Sequence, residues 1–318
     1  MRTMVQKRNN KLDTAIRELA DASPHLRTRA AWFLGDKGGS RALSALLTAV
    51  GDEDPVVRKA VAWALGQTRN ARTIPALTYL LGDESAEVRV AATEALGHTR
   101  CVEAIPPLQS LLDTTEDEVR LAALDALGET GCADAVESLI PLLSTHDIAA
   151  CECATRSLGR IGDRRALEPL VPLLQDPIVR QSAIVALGRL GDHRAADAIH
   201  SHVGNRTAGY NLPALLALAR VGDSRAAGPL VWLAKNDAVG TLVIEGLTSL
   251  LDAGIAEIST YRLQQIAGLT KLSQEDWWTA ESIDIDTSEI RSAARAELNQ
   301  RQRVYRGRMR TATDDGTV

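Results

Sequence analysis

Apolar residues recur along this chain in helical stripes. In DPVVRKAVAWALG (54–66), Val57, Ala60, Val61, Ala64 and Leu65 fall at i, i+3, i+4, i+7 and i+8, one face of an amphipathic helix. The same columns hold Val88, Ala91, Ala92, Ala95 and Leu96, and then Val119, Ala122, Ala123, Ala126 and Leu127. Asp54 with Pro55, and Asp176 with Pro177, supply an N-cap and a first-turn proline. A Leu-Gly pair closes the stripe at 34–35, 65–66, 96–97, 127–128, 158–159 and 187–188, and Leu218 and Leu247 continue the series. The steps are 29 or 31 residues, and the glycine reads as the helix stop.

A second helix precedes each stripe. GDRRALEPLVPLLQD (162–176) opens on Asp163 as N-cap and runs through Ala166, Leu167, Leu170, Leu173 and Leu174. Pro107, Pro169 and Pro229 share one column of this helix and predict a bend in its second turn. Each unit is thus a helix–turn–helix that cannot bury its stripe alone, and stacking about eight of them makes one core. The predicted fold class is all-α, an α-solenoid. Residues 1–251 are expected to form the array with an N-terminal cap. Residues 252–318, where the period breaks, are expected to form capping helices and a basic tail.

Composition agrees. Hydrophobic residues make up 45% of the 318, but aromatics only 3%, so the core must be built from Ala, Leu, Val and Ile, a palette suited to close-packed helices. No convincing strand is visible. The segment 1–11 carries +4, and seven Arg against Glu297 give 291–310 a charge of +6, which leaves 12–290 near −13. Those ends read either as solvated caps or as a tail that docks an acidic partner. An acidic body argues against nucleic acid as a partner. The most apolar run, LPALLALA (212–219), is far shorter than the ~20 residues of a membrane span. With a polar start and four Cys, the expectation is a cytoplasmic protein without membrane insertion.

VRKAVAWALGQTRNARTIPALTYLL (57–81) and VRQSAIVALGRLGDHRAADAI (179–199) resemble the HEAT-like repeat of the phycobilisome lyase family, and the resemblance covers roughly 12–250. It specifies the fold and says little of activity, because the motif residues are packing and capping residues. The chain is expected to be a non-catalytic protein-binding scaffold or adaptor, in signalling or complex assembly, a role that needs no catalytic group. The alternative the family implies is a subunit of a bilin lyase or pigment chaperone, with an open-chain tetrapyrrole as cofactor.

No catalytic set emerges. Cys151 and Cys153 in CEC are two apart on a helix and project ~200° apart, so one zinc cannot take both, and no metal site is expected. Cys101 and Cys132 stand where later repeats have Asp163, Asp192 and Asp223, and read as weaker helix starts. No His precedes a Glu, unlike the His-Glu pairs of the HEAT-like di-iron enzyme deoxyhypusine hydroxylase.

Arg58, Arg89, Arg120 and Arg180 form one column, joined by Arg27. Asp52, Asp83 and Asp176 lie four to six residues before members of it, and are expected to pair with them within each turn. Such a ladder would hold successive turns in register.

A partner would meet the second helices through the columns off the core stripe. The Trp63 column reads Trp32, Trp63, Glu94, Asp125, Arg156, Val185, Leu216, Glu245; the Ala62 column includes Leu124, Ile184 and Leu215; the Lys59 column includes Leu121, Glu152 and Leu212. Trp32 and Trp63, in a chain of five Trp and one Phe, are expected side by side. They lie either under the N-terminal segment or open as a partner anchor. Ile184, Val185, Leu212, Leu215 and Leu216 form a second apolar group, and Glu94, Asp125, Glu152 and Arg156 separate the two.

Overall fold

The computed structural model describes residues 2–37, 39–205, 207, 209–236, 240–252, 266, 272–275, 282–285, 292–300 and 303. The chain divides into two units, Met1–Leu173 and Leu174–Val318, a division that falls inside the repeat array.

In the first unit α1 (Arg2–Glu18) packs on α2 (Pro24–Lys37). The second helices of successive repeats, α2, α4 (Pro55–Gln67), α6 (Ala86–Thr99), α8 (Asp117–Thr130) and α10 (Ile148–Ile161), pack each on the next. The first helices form the other layer: α3 (Ser40–Thr48), α5 (Ile74–Leu80), α7 (Ile105–Gln109), α9 (Val136–Leu139) and α11 (Leu167–Leu170). In the second unit α12 (Arg180–Leu190), α14 (Leu212–Arg220) and α16 (Gly240–Asp252) pack in the same order, with α13 (Ala196–His200) and α15 (Ala227–Asn236) beside them. The architecture is the all-α solenoid of helix pairs that the periodicity predicts.

The core columns are as read from the sequence. Val57, Ala60, Val61, Ala64 and Leu65 are buried, as are Val88, Ala92, Ala95 and Leu96. Asp54 caps α4 by accepting from the Val56 N–H, and Asp163 accepts from the Arg165 N–H. Cys101 and Cys132 make no such cap, and their thiols instead donate to the Thr99 and Thr130 carbonyls. The first helices open with a tight 3-10 turn such as Ala71–Thr73 or Val102–Ala104. The α-to-3-10 change falls at Pro141 and Pro172, rather than at the Pro107–Pro169–Pro229 column as a whole. Pro229 sits in the first turn of α15, where its missing N–H breaks no helix bond.

Three expectations are corrected. The Leu-Gly glycines do not stop their helices; each of those in α2, α4, α6, α8 and α12 lies inside its helix. A Cβ on Gly66 would sit 2.8 Å from the Ala95 Cα, and one on Gly97 2.7 Å from the Ala126 Cα. These glycines let neighbouring second helices approach backbone to backbone. The stop lies three residues on, where Gly131 and Gly162 adopt φ of 67° and 73° and end α8 and α10. Arg69 and Arg100 hold the same position with φ of 49° and 54°.

Strands are present. Gly204–Asn205 (β1) pairs antiparallel with Gly209–Tyr210 (β2), and Leu272–Glu275 (β3) with Ser282–Ile285 (β4). The second pair falls in the region expected to hold capping helices. Each is a local hairpin, for which a few residues of extended backbone suffice.

The third correction concerns the Ala62 column. Ala62, Thr93, Leu124, Thr155, Ile184 and Leu215 are all buried. A second helix with neighbours on both flanks buries more than one stripe, so in α4 the residues at 57, 58, 60, 61, 62, 64, 65 and 66 are all enclosed. Leu124, Ile184 and Leu215 are therefore core, not partner-facing residues.

Candidate functional site

The face left open on the second helices consists of the Lys59 and Trp63 columns. Trp32 and Trp63 meet on it, their ring centroids 4.1 Å apart and their planes at 44°. Trp32 is 44% exposed and Trp63 half-buried. Gly35 makes room for the pair: a Cβ there would lie 2.9 Å from Trp63 Cζ3. Although α1 packs on α2, Trp32 stays open. The chain's one Phe, Phe33, lines instead a groove of about 500 Å³ with Asn10, Lys11, Thr14, Ala15, Glu18 and Arg29.

The charged members of the columns differ in freedom. Lys59 is drawn to Glu87 of the next repeat at 2.7 Å, and this contact holds the Glu87 carboxyl below its usual range. Asp125 accepts from Arg156 at 3.2 Å and from Arg160 at 3.5 Å, and Arg160 also reaches Glu129 at 3.2 Å. The Arg156 guanidinium donates as well to the Cys153 sulfur, 3.2 Å away, while burial raises the Cys153 pKa. Asp125 and Arg156, both expected to face a partner, thus satisfy each other. Glu94 is exposed and forms no ion pair among the described residues. In the second unit Val185, Leu212 and Leu216 are half-buried, and Leu216 lies against Gly246 of α16.

The arginine ladder exists but runs differently from expectation. Arg27 pairs with Asp52, 25 residues ahead, and Arg58 with Asp83, again 25 ahead. Arg89 reaches Glu116, and Arg120 reaches Asp147 at 2.7 Å. Each carboxylate is thus taken by the arginine of the preceding repeat. Within its own turn, the guanidinium donates to backbone: Arg58 Nη1 to the carbonyls of Asp52 and Glu53, and Arg89 Nη1 to those of Asp83 and Glu84. Among the described residues Arg180 makes only such bonds, to the Leu174 and Gln175 carbonyls, while Asp176 accepts from the Ile178 N–H. A helix directs its first-turn side chains toward the preceding turn, and the packed neighbour brings its own turn within reach of the guanidinium. Gly35, Glu87, Glu129 and Arg160 were missed at the sequence level. Only the recurrence of opposite charges about one repeat apart signalled any of them.

Models of HEAT repeats match residues 12–97, 74–150, 105–178 and 149–210. The chain belongs to the HEAT-repeat family. No characterised protein matches this HEAT chain in sequence. Among solved structures it is similar to the CpcE–CpcF complex of phycocyanin lyase from Nostoc sp. PCC7120, with 26% identity, 76% of this chain and 94% of that chain covered, and a TM-score of 0.47. It is also similar to the YibA protein of E. coli (20%, 75% and 91%, 0.49) and to human deoxyhypusine hydroxylase (21%, 80% and 99%, 0.38). Among the described residues, no group of three or more His, Cys, Asp or Glu is placed to hold a metal ion, and no helix is long and apolar enough to cross a membrane.

Proposed function

We propose that this HEAT-repeat protein is a non-catalytic scaffold that binds another protein, with Trp32 and Trp63 as the anchor. The carrying observation is the ring pair: two tilted indoles in contact, one of them 44% exposed, on the open face of an otherwise aromatic-poor array. Repeat arrays offer long continuous surfaces, and exposed aromatics set among polar residues are the usual centres of binding energy. Lys59 and Glu94 are the polar rim, and Val185 and Leu216 offer a lesser apolar surface in the second unit. The test is affinity capture from cell extract with wild type and with the Trp32→Ala/Trp63→Ala variant, shown folded by circular dichroism. The double variant should lose a partner that the wild type retains; retention of every partner would overturn the reading.

A second reading rests on the same rings. Paired indoles also suit the flat face of an open-chain tetrapyrrole, the cofactor of the alternative that the family resemblance implies; the first expectation is of no cofactor. Titration with a bilin separates the two: a shifted absorption band and quenched Trp fluorescence, both lost with Trp32→Ala, support the pigment. An unchanged spectrum removes it.

A further inference from the structure

We infer that the Trp32–Trp63 site receives an arginine side chain from a basic segment of the partner, an inference that rests on the scaffold reading and deepens it. Three observations carry it. The first is that, among the described residues, no cation of this chain is placed on the site. Lys59 lies one turn before Trp63 on the same exposed stripe, the natural place from which to cover an indole. Its ammonium is instead held by Glu87, 2.7 Å away. Lys37, near the end of the Trp32 helix, is held by Asp36 at 2.7 Å.

The second observation is Glu94. It occupies the Trp63 column one repeat on, is exposed, and makes no ion pair among the described residues, whereas the next member, Asp125, is shared by two arginines. Adjacent packed helices lie about 8–10 Å apart. A long cationic side chain resting on Trp63 spans that gap and brings its charge to the Glu94 carboxylate. The third is the charge of the repeats that follow. Residues 12–100, which hold the pair, balance 11 carboxylates against 11 Lys and Arg, whereas residues 101–173 hold 13 against five. A basic segment anchored at the Trp pair and running on from Glu94 along the array is drawn by that excess, and an acidic one is disfavoured.

Among cations, the guanidinium fits best. It is planar and weakly hydrated, so it stacks on an indole face while its N–H fork donates to a carboxylate. An ammonium offers only a point charge. Two indoles inclined at 44° form an open angle rather than a flat sandwich, and Trp32, 44% exposed, leaves ring surface accessible to an incoming group.

The experiment measures binding of short fluorescently labelled peptides of alternating Arg and Ala, Lys and Ala, or Gln and Ala to the full chain by anisotropy. The Arg peptide should bind most tightly, the Lys peptide less so, and the Gln peptide not at all. Trp32→Ala should weaken the Arg peptide by about tenfold and Glu94→Gln by about threefold. Trp32→Phe, which keeps a ring, should retain most of the binding, and circular dichroism confirms the fold of each variant. Equal binding of the Arg peptide to wild type and Trp32→Ala overturns the inference, because diffuse acidity then accounts for the attraction. So does indifference to Glu94→Gln together with equal Arg and Lys affinities. If the double Trp variant loses its captured partner while these responses are absent, the anchor stands and the arginine falls. If it keeps every partner, the anchor itself falls.

Discussion

The Arg58 guanidinium grips the Asp83 carboxylate through two bonds of 2.7 and 2.8 Å, joining one inter-helix turn to the next across a whole repeat. Both side chains are more than nine-tenths buried. Arg58 Nη2 also reaches Glu84 at 3.2 Å, and Nη1 donates to the two carbonyls of its own turn, so one residue ties together two turns and a helix start. Arg58→Ala leaves Asp83 and two carbonyls without their donor. It should destabilise the first unit by about 2–4 kcal/mol. Lys should not restore the loss, since an ammonium cannot make the paired contact. Arg120→Ala should lower the urea midpoint less, because the carboxylates it serves are more exposed.

The same pair predicts an acid limb in stability. Asp83 is held below its ordinary 3.8, chiefly by the Arg58 hydrogen bond and then by the Ser85 N–H. Asp147 is lowered by the Ala150 N–H and then by Arg120, and Asp163 by Arg165. A depressed folded-state pKa means the unfolded chain binds protons first. The stabilisation is therefore complete above about pH 5, and is lost as pH falls through the folded values. Thermal unfolding followed from pH 7 downward should show this decline, and Asp83→Asn should flatten its slope.

Two glycines should respond to alanine for different reasons. At Gly97 the new methyl meets the Ala126 backbone at 2.7 Å, so helices α6 and α8 must separate, at about 1–3 kcal/mol. At Gly131 no atom stands within 4 Å, and only the positive φ opposes the substitution, at about 1 kcal/mol. Denaturation midpoints of the two variants should fall in that order. Equal losses would remove the close-approach role of Gly97.

Arg100 is the converse case. It closes α6 with φ of 54°, where the later repeats place glycine, and its side chain is exposed. Arg100→Gly should relieve the left-handed strain and raise stability by about 0.5–1 kcal/mol, less the entropy that glycine adds to the unfolded chain. A higher melting temperature with unchanged circular dichroism is the expected result.

Much of this was legible in one sequence, for a physical reason. A repeat is a local unit, so its helix phases, its N-caps at Asp54 and Asp163, and its core at Val57, Val61 and Leu65 follow from periods within 31 residues. The meeting of Trp32 and Trp63 followed from one column read across two repeats.

What only the tertiary structure decided lies between repeats. Leu124 and Leu215 look surface-facing on a single helix, yet they are enclosed once their helices have a neighbour on both sides, and Ile184 is buried as well. Gly66 and Gly97 look like stops until the next helix comes within a methyl group's width. Arg58 has Asp52 nearby in sequence, but its side chain finds Asp83, because packing brings the following turn closer than the chain brings its own carboxylate. Periodicity determines what each helix presents; only the contact distance between neighbouring helices decides which of those groups are buried, paired or left open, as Trp32 and Glu94 are.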